Sequence, residues 1–376
     1  MEFTVSYSSF TSAVAEINKV ISSRSAIPIL SGIRIEANES GLKLTGSNSD
    51  IFLERTIPLR VDGEKVVEIS EYGSIVVLSK YLNEIVKKLP NEICIKSDQN
   101  GSITIKSGNI ETKLNGFNAD DYPKLPEMDL NNNVKISFGK LTEAIKQTVF
   151  AVSKSEAKPL LTGVKMDFEK NKLICTATDS HRLARQEVHI ESEIIETFVV
   201  PSSSLLEFTH LKESDSSIVS IYYTNNFIVF GTANSSLYSR LIEGYYPNTQ
   251  SLVPTEARAT ITMNTQALME GIDRACVFSS EWKHNNVQLE VMEDMTIKIS
   301  SNSTEVGMIE ELQKIIHIDG QYDIQMSFDG RFVLDALKRI QEENVTIRFD
   351  GLMKPIVIQP LNISTSLHLI SPVRSY

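Results

Sequence analysis

One plan is written three times along the 376-residue chain. The segments "FTVSYSSFTSAVAEINKVISS", "VKISFGKLTEAIKQTVFAVSK" and "ATITMNTQALMEGIDRACVFSS" each open on an alternating strand and pass into a helix. Apolar residues recur at helical spacing in each: Phe10, Val14, Ile17 and Ile21; Leu141, Ile145, Thr148 and Val152; Leu268, Ile272 and Ala275. Such spacing gives a helix one buried face. Phe10 and Leu141 are 131 residues apart (141 − 10), Leu141 and Leu268 are 127 apart (268 − 141). The stretches "IRIEANESGLKLTGSN", "VKMDFEKNKLICTATD" and "VQLEVMEDMTIKISSN" then each read as strand, polar turn, strand. A second amphipathic helix follows in each copy, on Leu82, Ile85, Val86 and Leu89; on Leu205, Phe208 and Leu211; and on Val333, Ala336, Leu337 and Ile340. Each third of the chain therefore holds two helices and several antiparallel strands, an α+β plan in three tandem copies. Proline-containing joints, "DDYPKLPEMDLNNN" and "EGYYPNTQSLVPTEA", place the domains at 1–125, 126–253 and 254–376.

Composition narrows the function. Hydrophobic residues make up 41% and charged residues 23%, the profile of an ordinary globular protein. No run approaches the roughly 18 apolar residues of a membrane span. The opening "MEFTVSYSSF" has no basic n-region, so no secretory signal is expected. Cys94, Cys175 and Cys276 are far apart and form no CxxC pair, which argues against a zinc site or a disulfide framework. A reducing cytoplasm fits best.

The net charge of −11 excludes a surface that is basic throughout, but not a local basic lining. Cations gather at helix positions: Lys19, Arg24, Lys80, Lys87 and Lys88; Lys140, Lys146, Lys154, Lys158 and Lys212; Arg274, Lys283, Arg331, Lys338 and Arg339. Helix acids are fewer, so a basic helix face with acid elsewhere suits a polyanion; the plainer alternative is a solvated face. Three copies in series suggest an arc, and two arcs joined head to tail would close into a ring. Phosphate contacts carry no sequence information, so such a ring could slide on nucleic acid.

Enzyme motifs are missing: there is no GxGxxG, GxxxxGK[ST], HExxH or GxSxG. The stretch "TATDSHRLA", Thr176 to Ala184, packs Asp179, Ser180, His181 and Arg182 together. Neighbours on an extended chain alternate faces, so these cannot converge into a triad easily; a polar turn held by Asp179 is the simpler reading. The matching turns are "TGSNSDIFLE" and "SSNSTEVGMI", so His181, Arg182 and Leu183 belong to the second copy alone.

With "TATDSHRLA", "SRSAIPILSGI", "YYPNTQSLVP" and the terminal "ISPVRSY", the chain resembles the bacterial DNA sliding clamps, the beta subunit of DNA polymerase III, over essentially its whole length. The resemblance implies a ring-forming, head-to-tail homodimer built from three clamp domains per chain. It implies that duplex DNA passes through the ring without sequence preference. It implies no catalysis and no cofactor or metal. The partners implied are the replicative DNA polymerase, the clamp loader and repair polymerases, which dock through linear peptide motifs in the bacterial cytoplasm. Carried over by residue, the peptide pocket comprises Leu161, Thr178, His181, Arg182 and Leu183, with Pro247 from the linker and Pro372 and Arg374 from the tail. In that pocket His181 and Arg182 are expected to lay their apolar parts beside Leu183 and Leu161, with polar tips at the rim. Arg24 matches a DNA-contacting position; Lys154, Lys158 and Lys283 match by position. Val277 and Phe278 fall at the subunit joint.

Three departures bear on the pocket. The family often has glycine where Ser180 stands, a basic residue where Ser251 stands, and a Met-Pro-Met-Arg-like tail in place of Ser371-Pro372-Val373-Arg374. Two other functions compete with the clamp: a peptide-binding adaptor without DNA, and a hydrolase using Ser180 and His181.

Overall fold

In the computed structural model, the described residues are 1–22, 27–98, 101–126, 128, 133–254, 257–279, 286–304, 307–321, 324–351 and 354–373. They form six α-helices, two in each third of the chain, and antiparallel sheets. The first helices are α1 (Tyr7–Val20), α3 (Phe138–Lys146) and α5 (Thr265–Val277); the second are α2 (Ser79–Val86), α4 (Ser202–Thr209) and α6 (Gly330–Leu337). Their apolar faces are the ones the periodicity marks: Phe10, Val14 and Ile17, Leu141 and Ile145, and Leu268, Ile272 and Ala275 are all buried. Side-chain caps start two of them. Asn264 accepts from the Ala267 N–H at α5, and Asp329 from the Arg331 N–H at α6. The middle copy departs from its pattern. Its helix stops at Lys146, and Val149–Ala151 forms a 3-10 turn. Thr148 stays buried there, its hydroxyl donating to the Ala144 and Ile145 carbonyls.

The three strand–turn–strand units appear as hairpins: Gly32–Asn38 with Gly41–Ser47, Gly163–Glu169 with Lys172–Thr178, and Asn286–Val291 with Thr296–Ser303. The ladders gather into two compact units, residues 1–142 with 203–241, and residues 143–202 with 242–376. The first holds a thirteen-stranded sheet, the second a nine-stranded and a four-stranded sheet.

Inside each unit, one ladder joins consecutive repeats. In the first, strand Ser235–Arg240 lies against Ile51–Pro58, with Ser239 opposite Ile51 and Ser235 opposite Arg55. In the second, strand Ser366–Ile370 lies against Arg182–His189, with Ile370 opposite Arg182 and Ser366 opposite Gln186. Both strands of the second ladder are displaced from the first by 131 residues (182 − 51 and 370 − 239), so the two joints share one register. Register sets which side chains face the core, so an identical offset carries an identical joint. Two strands of the same kind keep open edges. Gly307–Lys314 ends the four-stranded sheet. Ile110–Phe117 pairs along Ser102–Ser107, and on its other side meets, among the described residues, only Val76 and Val77, through Gly116 and Phe117. Met308 and Leu312 on the first edge are 69% and 64% exposed, and Ile110 on the second is exposed too.

The second joint buries a histidine. His368, in strand Ser366–Ile370, is 1% exposed, and its ring centre lies 5.6 Å from that of Phe150. Neither ring nitrogen has a hydrogen-bond partner among the described residues. Burial, helped by the Arg339 charge, lowers its pKa from 6.5 to about 4. A histidine that folds neutral destabilises the folded state once the unfolded chain takes up a proton. The His368 contribution to stability is therefore expected to fall as pH drops from 6.5 towards 4, by up to about 3 kcal/mol, and to flatten below that. Denaturant titrations at pH 4.5 and pH 7 check this. His368→Leu should remove this part of the slope, and an unchanged slope would assign the acid sensitivity to other groups.

Candidate functional site

The turn from Thr178 to Leu183 is built by side chains folding back on the backbone. Asp179 Oδ1 accepts from the N–H groups of His181 (2.9 Å) and Arg182 (3.0 Å). The Thr178 hydroxyl donates to the Arg182 carbonyl at 2.6 Å and accepts from the Ser180 N–H at 3.2 Å. The role expected of Asp179 is the one it plays. The first repeat makes the same turn: Asn48 Oδ1 accepts from the Asp50 and Ile51 N–H groups, and Ser47 Oγ from the Ser49 N–H. Both turns need a left-handed residue at one place, with φ of 85° at Ser49 and 81° at Ser180. That conformation favours glycine and explains why glycine suits the position of Ser180.

What the second copy adds is Arg182, where the first has buried Ile51. Arg182 does not send its polar tip to the rim as expected; it is 7% exposed, and its guanidinium points inward. Nε donates to Asp179 Oδ2 (2.9 Å), Nη1 to Asp335 Oδ2 (2.6 Å) and Nη2 to the Phe150 carbonyl (2.8 Å). Its plane lies over the rings of Phe332 at 4.6 Å and Phe150 at 5.5 Å. A buried guanidinium is tolerated only when paired and hydrogen-bonded, and two carboxylates and a carbonyl meet that demand. His181 does reach the surface, its exposed ring running alongside Phe332 with centres 6.4 Å apart and planes 21° apart. Ser180 Oγ instead accepts from Lys158 Nζ at 3.3 Å. Serine and histidine thus face different neighbours, which is no arrangement for a nucleophile and its base.

The other expected pocket residues fall into two groups. Leu161, Thr178 and Leu183 are buried. Pro247 is exposed and Pro372 half-buried. The tail is tied to the turn and to the third repeat, since the Ser371 N–H donates to the His181 carbonyl (2.9 Å) and the Val373 N–H to the Ser327 carbonyl (2.8 Å). Arg374 lies outside the described residues, as do Arg24 and Lys283. The sequence reading missed Phe150, Tyr246, Phe332 and Asp335. Tyr246 secures the linker through its hydroxyl, which accepts from the Thr178 N–H at 3.1 Å, and burial raises its pKa. The recurring Tyr-Pro at 122–123 and 246–247 was the available signal for it.

Lys154 and Lys158 are exposed. Several of the other helix cations are partly neutralised where they stand. Arg274 pairs with Glu311 (2.7 Å), Lys87 and Lys88 approach Glu84, and Arg331 approaches Asp329. Val277, at the end of α5, is 70% exposed, and Phe278 beside it is half-buried. Among the described residues no cluster of His, Cys, Asp and Glu could hold a metal ion, and no helix is long and apolar enough to cross a membrane.

Comparison with known proteins covers the whole chain. Profiles of the DNA polymerase III beta subunit match residues 1–126 (N-terminal domain), 135–248 (central domain) and 250–374 (C-terminal domain). The beta sliding clamp of Bacillus subtilis is 39% identical, and that of Staphylococcus aureus 36%, each aligned over 100% of both chains. The crystal structure of the Bacillus subtilis clamp superposes with a TM-score of 0.97 at 38% identity, and that of the Streptococcus pyogenes beta subunit with 0.94 at 32%, each covering 100% of both chains.

The turn geometry makes a specific expectation. Ser180→Gly should relieve the left-handed strain and raise stability by up to about 1 kcal/mol. Asp179→Ala should cost about 1–3 kcal/mol by leaving two N–H groups and the Arg182 Nε without their acceptor. Denaturant unfolding of both variants checks this; destabilisation by Ser180→Gly would mean that the serine side chain, not the backbone, holds the turn.

Proposed function

This chain belongs to the DNA polymerase III beta subunit family, the beta sliding clamps, and on that premise we propose how it works as a non-enzymatic processivity factor. Two copies, each with domains at 1–125, 126–253 and 254–376, close head to tail around duplex DNA. The ring tethers the replicative polymerase in the bacterial cytoplasm. That polymerase, the clamp loader and repair polymerases dock by short extended peptides at the Thr178–Leu183 turn, with Pro247, Pro372 and Arg374 around it. Arg24, Lys154, Lys158 and Lys283 contact the DNA backbone. Such contacts are independent of base sequence and weaken with salt.

The observation that carries the ring is the repeated joint. One register joins the first repeat to the second and the second to the third, and each joint closes an open strand edge. Unpaired edges invite pairing with another chain. The edges left over, Ile110–Phe117 and Gly307–Lys314, belong to the first and third repeats, as a head-to-tail contact requires.

The helices support the same joint. Lys19 at the end of α1 donates to the His210 carbonyl, at the foot of α4. The residue 131 further on, Phe150 (150 − 19), lies under Arg339, at the foot of α6. The next equivalent, 127 further (277 − 150), is Val277, which is exposed. A partner subunit's first domain would cover it.

Two sets of variants separate ring from dock. The wild type should sediment as a dimer at micromolar concentration. Val277→Ala with Phe278→Ala should shift it towards monomer, since truncating an interface hot spot costs about 2 kcal/mol or more. His181→Asp, or truncation before Pro372, should abolish binding of a short labelled peptide with leucine and phenylalanine anchors while leaving the dimer intact. Leu183 is unsuitable for this test, because it is 2% exposed and a charge there would disturb folding. A wild-type monomer would overturn the ring, and peptide binding unaffected by both docking variants would overturn the dock.

A further inference from the structure

We propose that Asp335, on α6, is a positioning residue that sets the affinity of the docking site by holding Phe332 against the turn; this rests on the docking reading above. Phe332 and Asp335 are three residues apart on α6, which puts them on one helix face. Both meet Arg182: the carboxylate of Asp335 takes a guanidinium N–H at 2.6 Å, and the ring of Phe332 lies 4.6 Å from the guanidinium carbon. Phe332 then lies alongside His181 of the turn. The contacts form a closed circuit, from the backbone of the turn through Asp179 to Arg182, on to Asp335 and α6, and back through Phe332 to His181.

Each link has a distinct part. Asp179 divides its carboxylate, one oxygen serving the turn and the other Arg182 Nε. It therefore sets the guanidinium plane from within the second repeat. Asp335 ties that plane to the third repeat, at the opposite edge of the fork. The fork of arginine is what makes two such ties possible at fixed angles; a lysine ammonium would hold neither plane nor ring. Without Asp335 the guanidinium keeps Asp179 and the Phe150 carbonyl, so its charge stays compensated. The tie to α6 is what goes, and the His181–Phe332 wall is left free to open. Asp335 is itself 44% exposed at its side chain, so its replacement leaves the core intact.

The test uses the full-length protein and the labelled leucine–phenylalanine peptide. Asp335→Ala should weaken peptide binding roughly 3- to 30-fold, the size of effect carried by residues that act through a neighbour. Asp335→Glu should recover most of the loss, and Asp335→Asn, which keeps an acceptor without the charge, should fall between. Dimer formation should be unchanged throughout. Because Asp335 acts through Phe332, the double variant Phe332→Ala/Asp335→Ala should bind no more weakly than Phe332→Ala alone, whereas independent contacts would add. The proposal is overturned if Asp335→Ala binds as the wild type does while His181→Asp does not bind, or if the two losses add. Unaltered binding by His181→Asp would instead show that the docking reading has failed beneath it.

Discussion

Everything in this chain hangs on the antiparallel ladder that joins one repeat to the next. A strand edge carries a row of N–H and C=O groups that must find partners. In each compact unit the end strand of one repeat supplies them for the preceding one: Ser235–Arg240 for Ile51–Pro58, and Ser366–Ile370 for Arg182–His189. Sharing one register makes the joint a property of the repeat and not of any single pair of side chains. It also leaves one edge of each kind unused, which is what the proposed head-to-tail pairing of two copies requires.

The second joint differs from the first in its cargo of side chains. Where the first has Ile51, the second has Arg182, seated between two aromatic rings and answered by two carboxylates. A well-packed apolar residue is often at least as stabilising as a buried ion pair, so stability alone does not call for an arginine here. Its geometry does something an isoleucine could not: it connects the turn carrying His181 to the helix carrying Phe332. The same backbone turn, with the same left-handed residue, is a plain corner in one repeat and, in the next, the wall of the proposed docking site.

Much of this was legible in the residues. The offset of 131, read from helix faces as Phe10 to Leu141, is the offset of the strand register. The hairpins, the helix faces and the turn role of Asp179 follow from local rules of periodicity and side-chain capping. The inward course of Arg182 did not follow, because its acceptors Asp335 and the Phe150 carbonyl are far away in sequence and meet it only through the ladder. The early end of α3 was hidden for a different reason. Thr148 occupies a buried position at helical spacing while the chain there turns more tightly. Nor did composition show that cations such as Arg274 have carboxylates beside them.

Loading on a circular duplex tests most directly whether this protein holds DNA by enclosing it. The loaded protein should remain on a closed circle through a high-salt wash, which removes proteins held by phosphate contacts. It should be released when a single cut makes the circle linear. Equal retention on cut and uncut DNA, or complete loss from both in high salt, would contradict enclosure.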